Sequence, residues 1–160
     1  MIQSSREDSY LKKLVADADK CTGCGICEDT CSKAYYKVAD RDKSAIRVDA
    51  NDDGGFTIAV CDQCGVCKEM CQTMALKTSA NGVIQLSKKA CVGCLVCVGE
   101  CLRGYMRYND ELPTPFKCIA CGLCAKQCPA GVLSIRDSNP AACNSTHMLS
   151  PTKMQEDKNA

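Results

Sequence analysis

The chain has 160 residues, 17 of which are cysteine, and its formal net charge is +1. Hydrophobic residues make up 46% of the chain with cysteine included, but only about 35% without it, below the roughly 45–50% of an ordinary globular protein. With no Trp and two Phe, the chain lacks the residues for a large conventional core. We therefore expect bound metal groups to complete the core and folding to be coupled to metal binding.

Charge and hydropathy argue against two classes of partner. The near-neutral formal charge provides no basic patch for nucleic acid. No stretch approaches the roughly 18 continuous apolar residues of a membrane span, and residues 1–20 contain neither the apolar run of a secretory signal nor a twin-arginine pair. The sequence predicts a cytoplasmic protein with no nucleic-acid partner and no membrane span.

One cysteine spacing, CxxCxxCxxxC, occurs four times in the chain. It is the spacing of the bacterial ferredoxin run, in which four thiolates complete each cubane 4Fe-4S cluster. The four copies are Cys21, Cys24, Cys27 and Cys31 (motif one); Cys61, Cys64, Cys67 and Cys71 (motif two); Cys91, Cys94, Cys97 and Cys101 (motif three); and Cys118, Cys121, Cys124 and Cys128 (motif four). The sequence therefore predicts four 4Fe-4S clusters with these sixteen cysteines as ligands to iron.

Two other uses of cysteine are less consistent with this pattern. A disulfide framework requires an oxidising compartment, and it would not require four identical spacings or leave an odd cysteine. Structural zinc sites usually divide their ligands into two pairs with a longer spacer between them. Here a third and a fourth cysteine follow each pair at once, which favours clusters over zinc.

The segments before motif two predict a strand and an insertion. LKKLVADAD, ahead of Cys21, has the apolar alternation of a short strand. Between motifs one and two, SAIRV and GFTIAV flank a turn rich in Asn, Asp and Gly. We predict an insertion loop over residues 35–60 that leads from the first motif to the second.

The spacer between motifs two and three predicts a hairpin. MALKTS and GVIQLS are short alternating runs, and Asn81-Gly82 between them is a preferred signal for a two-residue hairpin turn. This arrangement is that of the middle of a two-cluster ferredoxin. Motifs two and three are therefore predicted to form one unit over residues 61–102, rather than pairing consecutively with motifs one and four.

Motifs one and four then form the outer unit, over residues 1–34 and 103–137. AGVLSIRD, which follows Cys128, is a second alternating run that could pair with the strand ahead of Cys21. The predicted fold class is α+β, with two nested bacterial 2[4Fe-4S] ferredoxin-like units built from small two-stranded hairpins and short helices around the clusters. Residues 138–160 are polar, contain two prolines and show no periodicity, which predicts an irregular tail. This tail contains Cys143 and His147.

The ligand sets follow from the rule that the fourth cysteine of each motif binds the cluster of the other motif in a two-cluster ferredoxin. Applied to the nested pairing, the rule gives Cys21, Cys24, Cys27 and Cys128; Cys118, Cys121, Cys124 and Cys31; Cys61, Cys64, Cys67 and Cys101; and Cys91, Cys94, Cys97 and Cys71. Glycines beside the cysteines of every motif predict tight loops whose backbone N–H groups point at the cluster sulfurs.

From Leu14 to Arg136 the chain resembles the four-cluster electron-transfer subunits of anaerobic oxidoreductases. The matching segments are CTGCGIC, KSAIRV, CDQCGVC, CVGCLVC and KCIACGLCAKQCPAG. All four motifs are compact, whereas formate-dehydrogenase subunits often stretch the second and fourth. The chain looks most like the iron–sulfur subunits of aldehyde ferredoxin oxidoreductase-like tungsten enzymes. A difference from simple ferredoxins is that proline follows the fourth cysteine only at Cys128.

The expected function is electron transfer rather than catalysis, since each cluster has a complete protein ligand set. The resemblance implies a relay between a catalytic tungsten or molybdenum oxidoreductase subunit of aldehyde or carboxylate type and a redox partner. That redox partner would be a ferredoxin, an NAD-reducing flavin subunit or a further copy of the chain. The alternative is a free soluble polyferredoxin that carries electrons between enzymes, and a redox sensor is a more distant third.

Overall fold

The computed structural model describes residues 11–138, so nearly all of the predicted tail, with Cys143 and His147, lies outside the described residues. The elements, in chain order, are β1 (Leu11–Ala16), α1 (Ile26–Tyr36), β2 (Arg47–Ala50), β3 (Phe56–Ala59), α2 (Val66–Glu69), β4 (Leu76–Thr78), β5 (Ile84–Leu86), α3 (Val96–Gly99), α4 (Leu123–Gln127) and β6 (Leu133–Ser138). Single 3-10 turns occupy Ala18–Lys20 and Arg41–Lys43.

Each of the four helices begins inside a cysteine motif, one residue before the third cysteine. The residue ahead of each helix has a left-handed backbone, with φ of 72° at Gly25, 97° at Gly65 and 77° at Gly122. Glycine adopts this conformation without steric cost, which explains its place there. In α3 the same position is Leu95, with φ of 58°. Four motifs with different residues therefore form the same turn followed by a helix.

The helices pack in the pairs that the nested arrangement requires. Helix α1 of motif one contacts α4 of motif four, and α2 of motif two contacts α3 of motif three. Helix α1 has 11 residues, whereas α2 and α3 have four each. It ends where Lys37 takes a left-handed conformation and donates its backbone N–H to the carbonyl of Lys33. This end lies beyond residue 34, the predicted limit of the outer segment.

Six strands form three two-stranded antiparallel sheets in the described part of the chain. Strand β1 pairs with β6, with Leu14 opposite Ile135, so the predicted pairing of the two flanking runs is confirmed. Strand β4 pairs with β5, with Leu76 opposite Leu86, which confirms the predicted hairpin between motifs two and three. The first strand pair thus encloses the second in the sequence.

The two predicted turns differ in detail from the structure. Strands β4 and β5 are separated by residues 79–83 rather than by two residues, and the N–H of Ser79 donates to the carbonyl of Val83 at 2.8 Å. Gly82 still has the left-handed conformation expected of a turn, with φ of 74°. Within the insertion, β2 and β3 form a hairpin. Part of this insertion is therefore regular structure.

The core consists of two groups of buried residues, and cysteines form a large part of both. The larger group contains Leu14, Cys27, Ala45, Ile46, Cys61, Phe116, Cys118, Cys124, Val132 and Leu133. The smaller group contains Cys67, Leu76, Ile84, Cys97 and Met106. The side chains that would bind clusters are thus packed among the few aliphatic residues that the sequence supplies.

Short helices and small antiparallel strand pairs are consistent with an α+β ferredoxin-like fold. Within residues 11–138, no helix is long and apolar enough to cross a membrane.

We expect Leu14→Ala to lower the free energy of unfolding by about 2–5 kcal/mol, the usual range for a buried leucine. Leu14 is 3% exposed and lies in the larger core group. It belongs to β1, where it is opposite Ile135 of β6. The measurement is the urea midpoint of the anaerobic, iron-loaded protein, followed by circular dichroism. The control is Leu102→Ala at a residue that is 74% exposed, for which we expect a change within about 0.5 kcal/mol. Equal changes in the two variants would contradict the described core.

Candidate iron–sulfur sites

One cavity is lined by four cysteines from two motifs that are distant in sequence. They are Cys21, Cys24, Cys27 and Cys128. Apolar side chains close the cavity, from Val48 and Ile58 of the insertion hairpin and from Val132 and Leu133 next to and within β6. The space between these atoms is about 340 Å³ with its open mouth included. Cys128 therefore lies with the first three cysteines of motif one rather than with its own motif.

A second cavity repeats the exchange in the opposite direction. Its four cysteines are Cys31, Cys118, Cys121 and Cys124. Leu14, Tyr35, Ile46 and Leu123 are among the other residues that line it, and its volume is about 320 Å³. The fourth cysteine of motif one thus lies with the first three of motif four.

A third cavity, of about 470 Å³, is lined by Cys61, Cys64, Cys67 and Cys101. Ile84 and Met106 contribute apolar surface, but this cavity is also lined by charged side chains, from Asp62, Arg103 and Lys117. An ion pair joins Arg103 Nη1 to Asp62 Oδ2 at 3.1 Å. The exchange of the fourth cysteine is again present, here between motifs two and three.

The remaining four cysteines are brought together around Cys97. Burial raises the pKa of the Cys97 thiol to about 11, and the next largest influences come from Cys91, Cys71 and Cys94. Cys71 differs from the rest, because its pKa is lowered: burial acts to raise it, but hydrogen bonds from the Thr73 hydroxyl and nearby backbone N–H groups outweigh that effect. The structure therefore groups sixteen cysteines in four sets, three of them around cavities, and their role as ligands stays a prediction.

The four motifs share one pattern of exposure. The second cysteine of each is exposed and the third is buried. The third cysteines, Cys27, Cys67, Cys97 and Cys124, have thiol pKa values raised to about 11, 11, 11 and 12, with burial as the largest cause. A buried thiolate is unfavourable without a positive partner. These positions therefore suit thiolates bound to iron.

Backbone N–H groups point at several cysteine sulfurs. Gln63 donates to Cys61 Sγ at 3.4 Å and Ala120 to Cys118 Sγ at 3.3 Å, each from the residue ahead of the second cysteine. Both residues have positive φ, 63° and 50°, although neither is glycine. In motif three, Cys101 Sγ accepts from the N–H of Tyr105 at 3.2 Å. These donors are not glycines and their acceptors are cysteine sulfurs, so the predicted N–H contacts from the motif glycines to cluster sulfurs stay a prediction.

The insertion hairpin packs over motif one. A Cβ atom at Gly23 would lie 2.3 Å from the ring of Phe56, and one at Gly25 would lie 2.2 Å from the guanidinium of Arg41. The N–H of Val48 donates to the buried carboxylate of Glu28 at 3.2 Å. Gly23 is therefore required by the Phe56 ring as well as by its backbone conformation, whereas the Arg41 side chain can move and Gly25 is required by its φ of 72°.

Cysteines of neighbouring sets lie in the same core groups. The larger group contains Cys27, Cys124, Cys118 and Cys61, and the smaller one contains Cys67 and Cys97. Charge on Cys27 raises the pKa of Cys124, after burial, Cys118, Cys31 and Cys121, and Cys61 acts similarly on Cys118 and Cys97 on Cys67. These pairs connect the four sets in the order Cys21 set, Cys118 set, Cys61 set and Cys91 set, a linear series.

A buried polar link between motifs two and four was not anticipated from the sequence. Lys117 is 3% exposed, and its Nζ donates to Gln63 Oε1 at 2.6 Å and to the Cys118 carbonyl at 3.2 Å. Gln63 Nε2 donates to the same carbonyl at 2.7 Å. The sequence signal was weak: a lysine directly before a cluster cysteine is ordinarily assigned to the surface.

The residues around the cavities fit a cubane cluster better than a single ion. Among residues 11–138, no group of three or more His, Cys, Asp or Glu side chains is arranged to hold one metal ion. A cubane binds each thiolate to a different iron, so its four ligands surround a volume. Sets of four cysteines around an apolar cavity match that requirement.

Comparison with known proteins identifies two segments with a family description. Residues 18–36 and residues 114–134 each match a model described as a 4Fe-4S binding domain. These segments contain all of motifs one and four, the two motifs whose fourth cysteines exchange in the first two cavities.

Curated relatives include the uncharacterized ferredoxin-like protein YdhX of Escherichia coli O157:H7, with 26% identity over 63% of this chain and 50% of the relative. Formate hydrogenlyase subunit 2 of Escherichia coli K12 is 28% identical over 62% of this chain and 49% of its own length. The polyferredoxin-like subunit of aliphatic sulfonate oxidoreductase from Pyrococcus furiosus is 34% identical over 55% and 53%. The chain spans about half the length of these relatives.

Among solved structures, the chain is similar to one from the active site complex BamBC of benzoyl coenzyme A reductase with benzoyl-CoA. The identity is 22%, the TM-score is 0.46, and 81% of each chain is covered. Two segments of the chain are thus similar to 4Fe-4S binding domains, and its curated relatives include ferredoxin-like and polyferredoxin-like proteins.

Proposed function

We propose that the chain is the electron-transfer subunit of an oxidoreductase complex and relays electrons through four 4Fe-4S clusters. The clusters would be held by the four cysteine sets described above, with one cysteine exchanged within each pair of motifs. The observation that carries the proposal is the position of Cys128, Cys31 and Cys101, each of which lies with the first three cysteines of a different motif. Residues 1–34 with 103–137, and residues 61–102, would form the two nested units.

The linear series of cysteine sets supports a relay rather than separate stores of electrons. Each set lies next to the following one, through Cys27 and Cys124, then Cys118 and Cys61, then Cys67 and Cys97. Electron tunnelling weakens steeply with distance, so neighbouring clusters would carry an electron across the chain in short steps. The two ends of the series would then face different partners.

Exposed apolar side chains favour a docking surface at the inner end. The three most exposed large hydrophobic residues in the described chain are Met74, Val92 and Leu102, at 72%, 71% and 74%. Each lies within three residues of a cysteine of motif two or three. Exposed apolar residues beside a redox centre suit a partner surface, since burying them on association is favourable.

Catalysis would belong to another subunit. Named relatives include subunits of formate hydrogenlyase and of an aliphatic sulfonate oxidoreductase. By this analogy we propose a catalytic oxidoreductase subunit as the partner. From the resemblance of the sequence motifs we propose that it contains tungsten or molybdenum and acts on an aldehyde or carboxylate-type substrate. The second partner would be a ferredoxin, an NAD-reducing flavin subunit or another copy of the chain, in the cytoplasm. A free polyferredoxin is the alternative, and the apolar surface at the inner end disfavours it.

The exchange of ligands predicts which pairs of cysteine variants lose the same cluster. Cys128→Ala and Cys24→Ala should each lose about four of about sixteen irons, and the double variant should lose no more, because both cysteines would serve one cluster. Cys128→Ala combined with Cys121→Ala should lose about eight irons, since two clusters are affected. Iron and sulfide analysis of anaerobically purified protein checks this. The reverse result, about eight irons lost in the first pair and four in the second, would contradict the exchange.

The experiment that tests the proposed function is anaerobic purification of the tagged chain from its native host, followed by elemental analysis. We expect about sixteen irons per chain, together with a large co-purifying subunit that contains tungsten or molybdenum. Iron at this level on a chain that elutes alone would favour the free polyferredoxin. Zinc in place of iron would contradict both.

The docking surface predicts that Leu102→Asp weakens association with the co-purifying subunit by at least about tenfold, or 1.4 kcal/mol. A charge at the centre of an apolar contact loses its hydration without gaining a partner. The matched control is Val38→Asp, at a residue that is 45% exposed and adjacent to no cysteine. Because Leu102 also lines the Cys61 cavity, the two variants are compared in preparations of equal iron content. Equal retention of the subunit by the two variants would rule out docking at Leu102.

A further inference from the structure

Lys117 places an ammonium group inside the cavity of the Cys61 set. Its side chain is 3% exposed and lines the same cavity as Cys61, Cys64, Cys67 and Cys101. Its Nζ is held by Gln63 Oε1 at 2.6 Å and by the Cys118 carbonyl at 3.2 Å. Two neutral acceptors fix the group in position, and neither of these hydrogen bonds neutralises its charge.

Gln63 is itself held firmly, so the position of the ammonium is defined. The N–H of Ile84 in β5 donates to Gln63 Oε1 at 3.2 Å, and Gln63 Nε2 donates to the Cys118 carbonyl at 2.7 Å. The Tyr35 hydroxyl donates to the carbonyl of Lys117. Contacts from α1, β5 and motif four therefore fix both members of the link.

The other two cysteine cavities contain no comparable group. The cavity of the Cys21 set is lined, besides its cysteines, by apolar residues, glycine, proline and Thr22. The cavity of the Cys118 set is lined by aliphatic residues, glycine and Tyr35. Arg103 also lines the Cys61 cavity, but its side chain is 44% exposed and is paired with Asp62. Of the cations in these three cavities, only Lys117 is both buried and free of an acidic partner within salt-bridge distance.

A fixed positive charge next to a cluster favours its reduced state. A 4Fe-4S cluster with four thiolates becomes more negative when it gains an electron, and burial weakens the screening of a nearby charge. Lys117 lines the same cavity as the four cysteines of the Cys61 set, so its ammonium would lie beside a cluster bound there.

We propose that Lys117 sets the reduction potential of the cluster bound by Cys61, Cys64, Cys67 and Cys101, and makes that cluster easier to reduce than the cluster of the Cys21 set, whose cavity is lined by no cation. The inference rests on the proposed relay and adds an energetic step to it. Lys117 directly precedes Cys118 in the sequence, and its side chain lines the cavity of the Cys61 set. Its charge therefore lies between the Cys118 and Cys61 sets, where electrons would pass from the outer pair of clusters to the inner pair. Electrons would collect at the Cys61 cluster before they leave for the Cys91 cluster.

The test is a redox titration of the anaerobic, iron-loaded full chain, followed by electron paramagnetic resonance. Lys117→Met should lower the ratio of reduced to oxidised Cys61 cluster at least tenfold at a fixed potential, which is about 59 mV for a one-electron couple. The transition that disappears in Cys64→Ala identifies this cluster. Lys117→Arg, which keeps the charge, should return the midpoint potential toward that of the unsubstituted chain.

The matched control is Lys68→Met, which removes a positive charge one residue after Cys67 at an exposed position. We expect a change of less than about twofold, since solvent screens an exposed charge. An unchanged transition in Lys117→Met, or an equal shift in Lys68→Met, would overturn the inference.

Two further outcomes separate a structural role from a redox role. Loss of about four irons from both Lys117→Met and Lys117→Gln would mean that the lysine is needed for assembly alone, and it would overturn the inference. If the proposed four-cluster relay is wrong, the result is different: the unsubstituted chain will itself hold far fewer than about sixteen irons. The inference and the proposed function can therefore fail independently.

Discussion

The burial of cysteine sulfur is the constraint on which the rest of this structure depends. The third cysteine of each motif lies in or beside the core, where a thiolate without a metal is unfavourable. Aliphatic residues such as Leu14 and Ile46 pack against cysteines as well as against each other, so the core has too few apolar side chains to persist without them. Binding of iron would supply the missing positive charge and fill the cavities together, which couples folding to cluster assembly.

The four motifs show how much of the candidate site can be predicted from cysteine spacing. The spacing predicts four ligand sets, and the structure brings Cys128 to the Cys21 set and Cys31 to the Cys118 set. The flanking runs and the hairpin around Asn81-Gly82 were also predictable, because strand alternation and turn residues are local signals. The ligand roles of the cysteines remain predictions.

Other features depend on contacts between distant segments and left little local signal. Lys117 before a cysteine is typical of an exposed loop, and only the position of Gln63 from motif two makes burial of its ammonium possible. The left-handed backbones of Leu95 and Ala120 are likewise set by the loop geometry of the motif rather than by residue preference. The insertion was predicted as a loop, yet its hairpin supplies Val48 and Ile58 to the Cys21 cavity.

The β1–β6 strand pair encloses the β4–β5 pair in the sequence, which affects the order in which the two pairs can form. Strands β4 and β5 close across a few residues, whereas β1 must meet β6 from the other end of the described chain. Closing a long loop costs more conformational entropy than closing a short one, and a folded segment between its ends shortens the effective loop. During synthesis, the inner segment is complete before β6 has been made. Maturation would therefore proceed outward from the β4–β5 pair, with β1 and β6 the last of the described strands to pair.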